Sequence, residues 1–379
     1  MPDLNLNTVE EAVTAIKNGQ MVIVADDEDR ENEGDLVCAA EKITPEIINF
    51  MAVEGRGLIC LSLSSEIADK LSLQLMSPSI NSGDGGTAFT VSIDGSLEKG
   101  VSTGISAEDR AKTIQLCMQD DTTARDLRRP GHVFPLIARD GGVLERTGQT
   151  EASVDLSRLA GLKAGGVICE IVNLDGTMAR RDDLMDFSKK HNIPFVTVSQ
   201  IINYRLKREG FLTRTREGQI ETPIAKLKTQ AYVERIDRQR EHLVFIHGSI
   251  EAESSPLVRI HNQCSLHDVL QPLGENKFQK ALHEIVKHGS GILIYLGQDN
   301  AANGLISQLD LHNFRASGLS EDEISKRLKN TKLARQYWPA AQILRELNIN
   351  SIKLMTDSSK KVQQLQELDI EVHKHSLDS

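Results

Sequence analysis

The chain has 379 residues, 39% of them hydrophobic and 26% charged, with a net charge of −10. That length exceeds what one core usually serves and predicts two domains, while the acidic balance argues against a nucleic-acid or anionic-membrane partner. No apolar run approaches the roughly 20 residues needed to span a bilayer, no signal peptide is recognisable, and the five cysteines form no Cys-x-x-Cys, so a cytoplasmic protein without a disulfide framework or zinc knuckle is expected.

Thr8-Val9-Glu10-Glu11 is a capping box, and Val9, Ala12, Val13 and Ile16 make a helical stripe that stops near Gly19. An apolar strand at 21–25 then meets Asp26-Asp27-Glu28-Asp29-Arg30-Glu31-Asn32-Glu33-Gly34-Asp35, with apolar residues again at 36–40. Like charges so crowded repel. The loop is either a solvated surface turn or a place where a cation sits among carboxylates, with Arg30 able to hold a phosphate or an anionic intermediate. Thr44-Pro45-Glu46 opens a second helix, with Pro at its first position and Gly55 after its last turn. A strand is expected at 58–63, a polar loop at 77–86 and a strand at 89–93. Ser106 is the N-cap of the next helix, with Asp109 three residues on. Arg129-Pro130-Gly131-His132 leads into a strand at 133–138, and 141–150 is a glycine-containing turn. Then come a helix at 151–161, a strand at 166–173 carrying Glu170, a helix at 182–191, a strand at 195–198 and a helix at 199–207. The alternation does not settle into regular βαβ units, so the pattern licenses α/β or α+β. Taken alone, His132 reads as a capping or core histidine as readily as a catalytic one. Cys38 and Cys60 read as buried strand residues rather than nucleophiles.

Three segments carry more information together than singly: D-D-E-D-R-E-N-E-G-D at 26–35, R-P-G-H-V-F-P-L at 129–136, and E-A-S-V-D-L-S-R-L-A-G-L at 151–162 followed by G-V-I-C-E at 166–170. With G-I-S-A-E-D-R-A-K-T-I at 104–114 and D-G-T-M-A-R at 175–180, residues 5–205 closely resemble 3,4-dihydroxy-2-butanone 4-phosphate synthase, an enzyme of riboflavin biosynthesis. The resemblance implies a mixed sheet with flanking helices, a homodimer with active sites at the subunit interface, and conversion of D-ribulose 5-phosphate to 3,4-dihydroxy-2-butanone 4-phosphate and formate. It also implies Mg2+ or Mn2+, hard cations suited to oxygen ligands, that stabilise an enediolate. Carried over by position, Glu31 is a metal ligand, Arg30 and Asp35 contact substrate, and Asp35 is a candidate acid/base. Glu33 supports the cluster, and His132 and Glu170 match the essential histidine and glutamate. Glu170, among apolar neighbours, would hold its proton more tightly if enclosed. Arg146, Thr147, Gly148, Gln149 and Thr150 match the phosphate- and metal-binding turn, and Thr103 adds a contact. The family pattern there has histidine where this chain has Gln149, which offers an amide oxygen to metal but carries no proton.

Near residue 205 the composition turns basic, with Arg205, Lys207, Arg208, Arg214 and Arg216 reading as a linker or strand edge, and the domain boundary is placed there, giving 1–205 and 206–379. Past it, strands are expected at 242–247, 256–262, 291–296 and 350–355, and helices at 277–288 and 339–347. A polar helix pair around 300–330 and a closing helix–strand pair complete this half. This half resembles GTP cyclohydrolase II in its α/β frame: 257–264, 291–296 and 340–345. Of the three zinc cysteines that the resemblance asks for, Cys264 is present, residues 271–276 read Q-P-L-G-E-N, and residues 297–304 replace an arginine-containing run. The expectation from these positions is a degenerate, catalytically silent domain without zinc. The alternative is a bifunctional enzyme that also opens the imidazole ring of GTP.

Overall fold

A computed structural model of the chain describes residues 6–27, 30–76, 86–236, 240–250, 253–264, 268, 277–297, 305–319, 323–324 and 337–376. The chain divides into two compact units, Met1–Tyr204 and Arg205–Ser379.

The first unit is built on a seven-stranded mixed sheet. Its strands are β1 (Val22–Ala25), β2 (Gly34–Ala39), β3 (Cys60–Leu63), β4 (Ile93–Gly95), β5 (Leu127–Ile137), β6 (Gly165–Glu170) and β7 (Phe195–Thr197), in the order β4-β5-β3-β6-β2-β1-β7. The central strands β1, β2 and β3 are buried along their whole length, which is why they read as unbroken apolar runs rather than alternating ones. Ile23, Leu36, Cys38, Leu61, Val167 and Cys169 fill the core on this sheet. Around it lie helices α1 (Val9–Lys17), α2 (Pro45–Phe50), α3 (Ser65–Lys70), α4 (Ala107–Cys117), α5 (Gln149–Leu159), α6 (Arg181–His191) and α7 (Val198–Arg208). The caps expected at Thr8 and Ser106 form: Thr8 and Glu11 make a reciprocal capping box, and the Ser106 side chain accepts the Asp109 N–H.

Three local expectations are corrected. In the second helix Gly55 is the last helical residue rather than the one that follows the last turn. The helix continues through a π-helical turn, Met51–Gly55, and Arg56 takes the left-handed conformation (φ 69°), its guanidinium held 2.7 Å from the Val172 carbonyl. The strand read at 89–93 is mostly irregular: Phe89 and Thr90 make isolated bridges, and regular pairing begins at Ile93. The helix read from Glu151 begins at Gln149, so the last residues of the supposed turn form its first helical turn.

The second unit carries another mixed sheet, ordered β14-β13-β11-β12-β10-β9-β8. Its strands are β8 (Leu212–Glu221), β9 (Lys226–Glu234), β10 (Glu241–His247), β11 (Leu257–Asn262), β12 (Gly291–Leu296), β13 (Ser351–Met355) and β14 (Glu371–His375). Strands β11 to β14 pair in parallel, and β8, β9, β10 and β12 pair antiparallel. Helices α8 (Lys277–His288), α9 (Leu305–Ala316), α10 (Trp338–Glu346) and α11 (Ser359–Glu367) accompany it. The β8–β9 hairpin was hidden in the basic stretch because β8 is an edge strand exposed nearly throughout, which leaves no alternation to read. The loop at 77–85, residues 271–276, residues 298–304 and much of the polar helix pair lie outside the described residues.

Candidate active site

The acidic loop closes the β1–β2 hairpin, whose last pair is Ala25 with Gly34. Its brace is Asp26, 6% exposed. One carboxylate oxygen accepts the Glu33 N–H (2.9 Å), and the other accepts the Glu31 N–H (3.2 Å) and Arg30 Nη1 (2.5 Å). A carboxylate satisfied by this many donors folds the loop around itself instead of repelling it. From outside, Arg180 Nη1 holds the Glu31 carbonyl at 2.8 Å. Arg30 Nη1 also meets Glu31 Oε2 at 3.0 Å and Gln149 Oε1 at 3.2 Å. Oxygens of Asp26, Glu31 and Gln149 thus converge on a single cationic nitrogen. That donor set fits a hard divalent cation, with the guanidinium as stand-in. Among the described residues no group of three or more His, Cys, Asp and Glu is gathered as a metal site, and Glu28 and Asp29 of this loop lie outside them.

Substituting histidine for Gln149 tests the ligand expectation. Gln149→His is expected to keep or raise Mn2+ affinity, read by electron paramagnetic resonance, and to keep or raise turnover at limiting Mg2+. A large loss would assign the amide a task imidazole cannot do, such as the bond from Gln149 Nε2 to the Glu33 carbonyl (3.3 Å).

Asp35 and Glu170 are register partners on neighbouring strands, so their side chains share one face of the sheet. On the other side of β6, Cys60 pairs with both Ile168 and Phe134. His132 lies on β5 two residues before Phe134, and Glu170 on β6 two residues after Ile168, so both stand toward the same end of the sheet. Asp35, Glu170 and His132 thus gather toward one end of the sheet, on β2, its neighbour β6 and, beyond β3, β5. Glu170 is half-buried rather than enclosed, and its Oε2 accepts the Leu58 N–H at 2.7 Å. Gly57 makes that approach possible: a Cβ there would lie 2.5 Å from Glu170 Oε2.

Asp35 is buried at this sheet end, which favours its protonated form. Burial raises its pKa well above the usual aspartate value, and the charges of Glu170, Glu33 and Asp26 add to this. A raised folded-state pKa means that the unfolded chain releases this proton first as pH rises. Asp35 therefore costs no stability below about pH 4 and progressively more above it. Asp35→Asn is expected to stabilise the chelator-treated protein at pH 7 by roughly 0.5–2 kcal/mol while abolishing turnover. The gain, read as melting temperature against pH, should close near pH 4.

The turn at 146–150 is anchored from beneath. Glu151, 1% exposed, bonds Arg146 Nη1 at 2.7 Å and accepts the Arg139 N–H at 3.2 Å, and Arg146 Nη2 reaches Thr87 Oγ1 at 3.0 Å. Gln149 and Thr150 are buried, Thr147 is half-buried, and Gly148 precedes the helix as its N-cap. Thr103 is exposed on a separate loop, which Asp109 ties down through Ser102 N (3.0 Å), Ser102 Oγ (2.7 Å) and Gly104 N (2.9 Å). Those bonds, from Ser102 above all, push the Asp109 pKa down to about 2. Cys38 and Cys60 are buried strand residues, and burial pushes the Cys38 thiol up to about 12.

Sequence reasoning gave Asp26, Asp94, Asp109 and Glu151 no role at the site. Asp26, Asp109 and Glu151 lie inside the quoted motifs. Their sign was a carboxylate in a segment that the fold buries, visible only once burial is known.

Residues 10–204 match the family model of 3,4-dihydroxy-2-butanone 4-phosphate synthase, and residues 213–376 that of GTP cyclohydrolase II. The chain is 46% identical over 374 residues to riboflavin biosynthesis protein RibBA of Aquifex aeolicus, covering 98% of this chain and 92% of that protein.

The chain belongs to the 3,4-dihydroxy-2-butanone 4-phosphate synthase family and carries a GTP cyclohydrolase II domain behind the synthase domain.

RibBA of Bacillus subtilis is 42% identical, over 93% of this chain and 89% of that one. A crystal structure of RibBX, a two domain 3,4-dihydroxy-2-butanone 4-phosphate synthase from A. baumannii, superposes with a TM-score of 0.76 at 35% identity, over 97% of this chain and 99% of that one. A synthase in complex with two magnesium ions matches at 40% identity and a TM-score of 0.51, over 54% of this chain and 99% of that one. Among the described residues no helix is long and apolar enough to cross a membrane.

These findings correct one expectation. The second half was read as degenerate, with cyclohydrolase activity not expected, on the strength of a few cysteine and arginine positions. The family match runs through 213–376, and the RibBA relatives align across both halves. That conflicts with a degenerate second half, an expectation that weighs a few ligand positions above the frame. Within this unit Cys264 donates its N–H to Asp268 (3.0 Å), which also holds His261 (2.8 Å) and Tyr295 (2.9 Å). His261 and Tyr295 are register partners near the carboxyl ends of the parallel strands β11 and β12, and Cys264 and Asp268 follow β11, at the sheet end where open α/β sheets bind ligands.

Proposed function

We propose that the first unit converts D-ribulose 5-phosphate to 3,4-dihydroxy-2-butanone 4-phosphate and formate. The observation that carries this is the placing of Asp35, Glu170 and His132 toward one sheet end, with the oxygens of Glu31 and Gln149 converging on the loop that precedes Asp35. The reaction balances without a co-reactant: five carbons divide into four and one, and the water lost on the way returns when formate leaves. Protons must leave carbon next to a carbonyl and be given back to oxygen, which asks for a base and an acid on opposite sides of a small sugar. Asp35, whose pKa burial raises, is suited to give a proton, and Glu170 and His132 to take and relay one. Arg30, Arg146, Thr150 and Thr103 supply charge and hydroxyls for the phosphate. Glu31 and Gln149 would hold Mg2+ or Mn2+, which when bound would supply positive charge against a developing oxygen anion. The working form is a homodimer, which light scattering would report. Formate release from ribulose 5-phosphate, measured with Mg2+, with Mn2+ and with chelator, tests the reading; no formate under any metal condition overturns it.

For the second unit, the family match and the RibBA relatives favour the bifunctional reading over a single activity. GTP consumption measured without ribulose 5-phosphate, together with zinc content, tests this separately. A protein that leaves GTP untouched with and without added zinc would reject it.

A further inference from the structure

Asp94 lies on β4, whose pairing with β5 skips residues: Ile93 is opposite Val133, but Asp94 is opposite Arg128. The Arg129-Pro130-Gly131-His132 segment therefore bulges from the ladder and folds back onto Asp94. The carboxylate accepts the His132 backbone N–H at Oδ1 (2.9 Å) and faces ring Nδ1 at Oδ2 (2.8 Å). The Asp94 side chain is 5% exposed and that of His132 43%. The pair is thus a buried acceptor under an accessible ring. Two glycines enforce the fit. A Cβ on Gly131 would lie 2.0 Å from the Ile93 carbonyl carbon, and one on Gly104, at φ +96°, would lie 2.0 Å from Asp94 Oδ2. Gly104 belongs to the loop that Asp109 ties down, so the roof over the Asp94 carboxylate is itself fixed. Arg128 adds to the frame, with Nε on the Gly95 carbonyl (3.0 Å) and Nη2 on that of Ser102 (2.9 Å).

A carboxylate against one ring nitrogen places the proton on that nitrogen and leaves the lone pair on the other. Resting on the synthase reading above, we infer that Asp94 is a positioning residue for that reaction, holding His132 as the Nδ1–H tautomer with Nε2 turned outward to exchange protons with the substrate. The ring is the exposed partner of the pair and so is open to a ligand from solvent.

Asp94→Asn in the full-length protein keeps the shape but presents an amide that cannot accept from both nitrogens. Turnover should fall by roughly 10²–10³-fold, with KM for ribulose 5-phosphate within about threefold of wild type. Nitrogen-15 NMR of histidine-labelled protein, with His132 assigned by its loss in His132→Gln, should show the proton of the neutral ring on Nδ1 in wild type and on Nε2 in Asp94→Asn. A wild-type ring protonated on Nε2, or an Asp94→Asn turnover within threefold of wild type, overturns the inference. The wild-type measurement decides even if the variant fails to fold. A wild type that is inactive on ribulose 5-phosphate would reject the synthase reading instead, with the tautomer still deciding whether Asp94 sets the ring.

Discussion

His132→Ala and Glu170→Ala should each lower turnover of ribulose 5-phosphate by at least about 10³-fold, the upper part of what a general acid or base contributes. The expected split is diagnostic. His132 lies at an exposed ring position on Asp94, and Glu170 at a half-buried position on the Leu58 N–H, so neither fills the core. Removing the imidazole deprives Asp94 of one donor, a cost of about 1–3 kcal/mol, and should lower the melting temperature by several degrees without unfolding the protein. Glu170→Ala frees a backbone N–H near solvent and should cost less. Circular dichroism and a stopped formate assay on the same samples check both. Wild-type-like turnover in either variant would remove that residue from the chemistry.

Glu151→Ala should produce the largest loss of stability in this part of the molecule. Glu151 is 1% exposed and its partner Arg146 10% exposed at the side chain, 2.7 Å apart. Stripping one member from a buried pair leaves the other without its countercharge and typically costs about 3–5 kcal/mol. Desolvation raises the Glu151 pKa, and Arg146 opposes that rise, so the carboxylate depends on the guanidinium as much as the reverse. The turn above should loosen with it, and KM for ribulose 5-phosphate should rise by roughly tenfold or more, because Arg146 and Thr150 would no longer be held for the phosphate. Urea denaturation gives the stability and steady-state kinetics the KM. An unchanged KM in a folded Glu151→Ala protein would show that the turn does not meet the phosphate.

Much of this was legible in the order of residues. Long apolar runs at 21–25 and 58–63, the capping residues Thr8 and Ser106, and the Pro45 helix start report their structure locally, through hydrophobic burial and backbone satisfaction that need only near neighbours. The acidic loop was legible as a connection between two apolar segments, which pair as β1 and β2. The β8–β9 hairpin was not, since an exposed edge strand has no inner face to betray its period.

By itself, then, the sequence determined which residue types are present for sugar-phosphate chemistry and on which segments they ride. Tertiary structure decided how those residues are used. It made Asp26 the brace of the acidic loop, and it buried Asp35 so that its pKa is raised. It also set Asp94 beneath His132 across 38 positions of chain. The physical reason is that propensity and hydrophobic period are local, whereas desolvation, shared protons and the orientation of a ring arise between strands that meet only when the sheet is complete.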